Sequence, residues 1–263
     1  MSDAQVFYRR SEFGIGGGSA HYFGDLNPNI GFKQIGYSGG VFYKYNFTHY
    51  IAFRMGLSMG NVGYADNYSS NYYQRVRNLD FKSNLYEASA GFEFSFFQYA
   101  VGDFEHRFTP YVSLGIGAFK YDPYTMYNNK RYLLRPLGTE GQNFEEYKDR
   151  KYTGTAVSFP IGIGFKFWLS KGLTLSLEAI NRITTTDYLD DVSTTYIGID
   201  KFNEVDPGPY PSSSSVLQDR SLEVSNTAIG TKGKQRGIST TSDQYMFIQL
   251  GVSFRLPTYR CPN

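Results

Sequence analysis

The stretch IAFRMGLSMG, Ile51 to Gly60, alternates without a break. Ile51, Phe53, Met55, Leu57 and Met59 share one face of an extended chain, because successive strand side chains point to opposite sides. Ala52, Arg54, Gly56, Ser58 and Gly60 share the other. The faces differ in bulk as well as polarity. One is uniformly large and apolar; the other is small, with a single guanidinium.

Seven more segments repeat the pattern. FGIGGGSAHYF sets Phe13 and Ile15 against Glu12, Gly14, Gly16 and Gly18, and IGYSGGVFYKYNF sets Tyr37, Val41, Tyr43, Tyr45 and Phe47 against Ser38, Gly40, Lys44 and Asn46. LYEASAGFEFSF sets Tyr86, Ala88, Ala90, Phe92, Phe94 and Phe96 against Glu87, Ser89, Gly91, Glu93 and Ser95. YVSLGIGAF, SFPIGIGFKFWL, LTLSLEAINR and QYMFIQLGVSFRL continue it through the second half, with Lys166, Glu178, Arg182 and Arg255 on the small face.

Which face lies inside decides the class. An eight-stranded barrel has an interior just wide enough for side chains to fill. The glycine and serine face fits inside, so the bulky face points outward, into lipid. The expected fold is all-β: an eight-stranded antiparallel up-and-down transmembrane β-barrel with long extracellular loops and short periplasmic turns. Residues 1–263 are expected to form this single domain, with outer-membrane lipid as its surroundings.

Composition agrees. Tyr and Phe number 24 and 22, Gly 28 and Trp 1, a profile suited to strands rather than helices. Twenty-six basic residues against 24 acidic ones give no electrostatic reason to bind nucleic acid. A mean hydropathy of -0.40 does not exclude a membrane barrel, since only alternate strand residues meet lipid. No apolar run reaches the roughly 18 residues of a spanning helix. The opening MSDAQVFYRR has neither the basic nor the apolar region of an export signal, as expected if one had been removed and Met1 supplied in its place. Cys261 has no internal disulfide partner and is expected to be a free thiol without a role.

Connection lengths set the orientation. Links after the second, fourth and sixth strands are short; those after the first, third, fifth and seventh are long, the last from Asp187 to Asp243. Short periplasmic turns and long outer loops alternate in this way. An even number of strands places both termini in the periplasm.

By the same parity Glu12, Glu87, Glu93 and Glu178 point inward with Lys44, Arg54, Lys166, Arg182 and Arg255. Charges crowded into so narrow a space should pair into a network that plugs the barrel rather than line a channel.

Other motifs carry less. GIGGGS, Gly14 to Ser19, lacks the Gly-Lys-Ser/Thr ending and following helix of a phosphate loop. One Cys and three scattered His, His21, His49 and His106, are a poor zinc set, and no Ser-His-carboxylate pattern surrounds any of them. No cofactor and no enzymatic activity are expected. DYLDD, Asp187 to Asp191, lacks the spacing and glycine of a calcium loop. At a barrel rim Asp187, Asp190 and Asp191 are better read as a structural lock, with Arg135 and Arg236 as available partners. A cation site is the weaker reading. QLGVSFRL, Gln249 to Leu256, is similar to a C-terminal barrel-insertion signal, though PTYRCPN follows it.

HYFGDLNP (21–28), FTPYVSLGIGAFKYDP (108–123), PLGTEGQ (136–142), DYLDDVSTTY (187–196) and QRG (235–237) occur in this order. Together they resemble the PorG family of outer-membrane barrels, from bacteria that use the type IX secretion system. The resemblance spans nearly the whole chain, with PLGTEGQ and DYLDDVS its most specific parts. It implies a non-enzymatic component that ties the periplasmic PorK/PorN ring, GldK/GldN in gliding bacteria, to the outer membrane. Other outer-membrane components of that machine are further implied partners. Contact would then fall on the periplasmic turns, at His49, Asp103, Glu105, His106, Arg107 and Lys171. The competing expectation is a general small barrel for adhesion or envelope integrity.

Overall fold

A computed structural model of the chain describes residues 11–28, 31–99, 105–170, 172–205 and 213–255. Cys261, Leu256, Asp103 and Lys171, singled out above, lie outside the described residues, as do both termini.

The barrel wall is β1 (Ser11–Phe23), β2 (Gly36–Asn46), β3 (Ile51–Ala65), β4 (Asp80–Ser95), β5 (Phe108–Lys120), β8 (Thr155–Ser170), β9 (Leu173–Thr184) and β10 (Gln244–Arg255). Between β5 and β8 lies a hairpin, β6 (Pro123–Tyr127) and β7 (Lys130–Leu133). Each wall strand pairs antiparallel with its neighbours, β1 with β10 and β3 with β4 included, so the sheet closes. This is an all-β, eight-stranded, closed antiparallel barrel.

The bulky face is outside. Leu57, Leu114 and Ile163 are 62%, 63% and 63% exposed, and they belong to an apolar belt that includes Phe92, Ile116, Ile161, Leu177 and Leu250. So large a continuous apolar surface is the mark of a barrel whose solvent is lipid.

The interior holds more than glycine, serine and charge. Large rings also take inward positions, and glycines on adjacent strands make room for them. Phe42 sits opposite Gly14, where a Cβ would come within 2.3 Å of the ring. Tyr111 sits opposite Gly164, where a Cβ would come within 2.5 Å of its ring. Near the long-loop end the inward positions turn apolar altogether. Ala20, Tyr22, Val62, Tyr64, Phe81, Leu85, Phe119, Tyr245 and Phe247 form a buried core there, joined by Leu189, Val192 and Leu217 from the last loop. The alternation weakens at AHYF, NVGYA and QYMFI because there the inward face turns apolar while polar residues such as His21, Asn61 and Gln244 take the other face.

The described residues of the long connections carry structure of their own. Between β3 and β4, α1 (Tyr72–Arg77) begins at Asn71, whose side chain accepts the Tyr73 N–H, and ends at Asn78 with φ 56. The β6–β7 hairpin turns on Asn128 and Asn129, both at positive φ, which suits the two-residue turn of a twisted hairpin. Read from sequence, this segment is simply a long loop; the Asn-Asn pair was the available signal. The last loop carries α3 (Ile199–Val205) and α4 (Ser213–Gln218). The remaining helix, α2 (Leu134–Leu137), follows β7.

Arginine in place of Leu57, in the middle of the outward belt, should cost about 2–4 kcal/mol. Guanidinium unfolding in lipid vesicles measures this. A loss under about 1 kcal/mol would mean that the position does not face lipid.

Candidate functional site: a filled lumen under a loop lid

The lumen charges fall into three groups along the barrel. At the short-turn end, Arg255 Nε donates to Glu12 at 3.0 Å, and Ser253 and Asn46 donate to the same carboxylate. In the middle, Glu93 faces Lys44 at 2.7 Å, Arg54 at 3.3 Å and Lys166 at 3.6 Å. Arg54 also forks onto Glu178 at 2.6 and 2.9 Å, and Tyr111 donates to Glu178 at 2.7 Å. Nearer the loops, Arg182 approaches Glu87 at 3.4 Å, with Ser158 and Tyr245 donating to the same group.

Rings cover the cations. The Arg54 guanidinium lies 4.3 Å from the Phe42 centroid and that of Arg182 lies 4.2 Å from Phe247. A cavity of about 50 Å³ remains beside Gly40, Gly56, Ser58, Gly91 and Ser113, room for a few water molecules.

Above this the loops form a lid, and Glu140 of PLGTEGQ is its centre. Its buried carboxylate accepts from the Ser193 and Thr194 N–H groups at 2.9 and 3.0 Å, from the Thr194 hydroxyl at 2.6 Å and from Arg236 at 3.0 Å. Arg236 also donates to the Asp191 carbonyl at 2.6 Å and to the Gln218 carbonyl at 3.2 Å. From α1, Arg77 forks onto Asp66 with two 2.7 Å bonds and reaches the carbonyls of Arg236 and Asp25. Asp25 in turn accepts the Ile238 N–H at 2.9 Å. All four long loops are therefore bonded to one another.

The aspartates of DYLDD take different partners from those expected. Asp191, at φ 66, accepts from Thr139 at 2.5 Å and Tyr152 at 2.6 Å. Asp190 accepts the Val192 N–H at 2.9 Å. Its other oxygen lies 2.5 Å from the Tyr22 hydroxyl, which is also 2.9 Å from Asp243. A phenol has one proton to donate, so the second of these bonds requires a protonated carboxyl. Arg236 meets this segment through a backbone carbonyl and gives its ion pair to Glu140 instead. Arg135 is a correction: it pairs with Asp122 at 3.3 Å near the surface and takes no part in the cluster.

Burial pushes the Asp190 and Asp243 carboxyls well above the ordinary range, reinforced by Asp25 at the first and by Asp190 and Asp187 at the second. It raises Asp25 and Asp191 to about 6, and Asp187 to about 8. Arg236 acts in the opposite direction on Asp191.

Among the described residues, no group of three or more His, Cys, Asp or Glu is arranged to hold a metal. His21 shares a 2.9 Å hydrogen bond with Ser19 and meets Phe32 edge-on. At the short-turn end, Arg107 lies over the Trp168 ring at 5.2 Å, Glu105 is exposed, and His49 and His106 are half-buried.

Sequence parity found the lumen set. It missed Glu140, Arg77, Asp66, Asp25, Asp243 and Tyr22, which meet across separations of up to 221 residues. One signal was present: the segments PLGTEGQ, DYLDDVSTTY, QRG and HYFGDLNP supply Glu140, Asp190, Asp191, Arg236 and Asp25.

These features define an outer-membrane-type β-barrel with an occupied interior and a bonded lid. A family model described as a domain of unknown function, DUF6089, matches residues 2–203, and the chain belongs to that family. No curated protein matches it. Among solved structures it is similar to Ail, the attachment invasion locus protein of Yersinia pestis, in complex with the heparin analogue sucrose octasulfate. That match has TM-score 0.42 and 12% identity, covering 94% of this chain and 98% of that one. It is also similar to Neisserial surface protein A, with TM-score 0.42, 11% identity and coverage of 94% and 97%. A third is the N-terminal barrel domain of OprF from Pseudomonas aeruginosa, with TM-score 0.37, 11% identity and coverage of 93% and 97%.

Glu93→Gln removes the carboxylate within ion-pair distance of Lys44 and Lys166 and should destabilise the barrel by about 3–5 kcal/mol in vesicle unfolding. The lid should loosen as pH rises. A carboxyl whose native pKa exceeds its unfolded value of 3.8 binds more protons when folded, so its contribution is full below pH 3.8 and is lost on the way to about pH 8 for Asp187. Protease cleavage of the loops should therefore be slower in Asp187→Asn than in the parent at pH 9, and equal in both at low pH.

Proposed function

We propose that this chain is a closed, non-enzymatic outer-membrane barrel that holds a rigid loop surface outside the cell, serving attachment or envelope integrity. The observation that carries this reading is the bonding of all four long loops over a lumen whose five bases are matched by four carboxylates. A conducting pore would need its interior cleared, and a transporter would need loops free to move. Here an orientation with the long loops outside puts this hydrogen-bonded lid at the cell surface. A cleft of about 780 Å³ opens there, lined by Ile197, Ile199, Val216 and Leu222 with Lys201 and Lys232 at its edge. Its lining joins this apolar wall to charges of both signs, Glu146, Asp200, Asp219 and Glu223 beside Lys201, Arg220 and Lys232, which suits a surface ligand with both apolar and polar groups.

A second reading is favoured by one specific observation, the PorG-like motifs. They supply the central lid residues, so the resemblance rests on the part of the molecule with the most demanding geometry. On that reading the barrel is an outer-membrane anchor for the PorK/PorN ring, with Glu105 and Arg107 in the turn that faces it.

Purified protein in planar bilayers should give no currents of porin size. In cells, Arg236→Ala should leave the barrel folded, loosen the lid and reduce surface attachment several-fold while protein secretion continues. Loss of secretion in a deletion strain, restored by Arg236→Ala but not by charge reversal at Glu105 and Arg107, would favour the ring anchor instead.

A further inference from the structure

The outward face of β4, β5 and the hairpin differs from the rest of the belt. Directly paired residues share a face of a sheet. Lys82 pairs with Tyr124, Tyr124 with Leu133, Met126 with Arg131, and Lys120 with Tyr86. Tyr86 is an outward belt residue, 57% exposed, and strand parity places Lys82 on the same face of β4. All these side chains therefore stand on the outer wall, where β4 and β5 rise out of the apolar belt toward the long-loop end.

Three cations stand along this wall without an ion-pair partner, with Asn84 and Asp122 at the register positions between Lys82 and Lys120. Lys82, Lys120 and Arg131 are exposed and enter no ion pair among the described residues. The nearest acids on this wall are already taken. Asp80 is held by Arg220 and Thr125, and Asp122 by Arg135. Within this wall the intervening Asn84 is bonded to Asn61 of β3, and at a comparable height on the far wall the outward pair is neutral, Asn181 bonded to Gln244, each at 2.7 Å. Arg131 is also pre-positioned, its guanidinium 3.7 Å from the Tyr124 ring centroid. A guanidinium held flat on a ring keeps its fork of N–H donors free for a phosphate.

We propose that this wall binds the phosphate groups of an anionic glycolipid of the outer leaflet, through Lys82, Lys120 and Arg131, with Tyr86 and Leu133 against its sugar and acyl portions. Charge complementarity selects the phosphate. Continuity with the lipid-facing belt selects a lipid as its carrier, because a ligand seated here has its apolar part already among acyl chains. The inference rests on the long-loop end facing the cell exterior. That orientation is read separately, by protease cleavage of the long loops on intact cells, so either reading can fail on its own.

The experiment is native mass spectrometry of the full chain released from detergent micelles. The micelles are titrated with diphosphorylated lipid A or its dephosphorylated form, with and without excess inorganic phosphate. Heat-modifiable gel mobility verifies that each variant is folded. The parent should retain the phosphorylated form at least about tenfold better than the other, since each surface cation is worth about fivefold in attraction to anionic lipid. K82Q/K120Q/R131Q should lose that preference, and a charge-matched K33Q/K148Q/K234Q, at exposed positions outside this wall and outside the cleft, should keep it. Arg131→Gln alone, on the hairpin outside the closed wall, should lose about fivefold and serves if the triple variant does not fold. Equal retention of both glycolipids, an unchanged preference in the wall variants, or complete displacement by inorganic phosphate would each overturn the proposal.

Discussion

A backbone N–H or C=O within a lipid layer has no water to bond, so a sheet that crosses one must satisfy every such group itself. The ladder between β1 and β10 does this here, running from Glu12 against Arg255 to Phe23 against Gln244. Closing the sheet sorts each strand's two faces into two different solvents. Outside, side chains meet hydrocarbon and can be large. Inside, eight strands leave a narrow column in which every inward group must be small, or be matched to what stands across from it.

The lumen meets this demand in two ways. Glycines opposite Phe42 and Tyr111 remove the Cβ atoms that would collide with those rings. The rings in turn lie over Arg54, Lys44 and Lys166, so the cations meet both a carboxylate and a π face. Removing water from such groups is costly, and the balance depends on several bonds to each carboxylate. Glu93 and Glu178 each have more than one partner, as do Glu87 and Glu12. The same column turns apolar toward the long loops, where Tyr245, Phe247 and Phe119 support the lid from below.

The lid uses hydroxyls and backbone donors in place of the direct carboxylate–guanidinium pairs expected for DYLDD. Two buried arginines, Arg77 and Arg236, are shared among the loops and act mostly through carbonyls, one pairing with Asp66 and the other with Glu140. This leaves Asp187, Asp190 and Asp243 close together without a cation of their own, and the protonated carboxyl that Tyr22 requires follows from that shortage. The lid is thereby coupled to pH, while the barrel beneath it is held by lipid and by its closed ladder.

The class of fold, the course of the eight wall strands, the face of each that meets lipid and the nine charged residues of the lumen can all be read along the chain. All of these depend on strand alternation, which is local and repeats every second residue. The lid was only partly legible: Asp190, Asp191 and Arg236 stood out, while Arg135 was drawn into a cluster to which it does not belong. The hairpin at Asn128 and Asn129 and the apolar inner core near the loops were also decided by tertiary structure. So were the bonds joining Glu140 to Thr194 and Tyr22 to Asp243. Such contacts depend on which loops the closed barrel brings above the same opening, and no local period along the chain encodes that proximity.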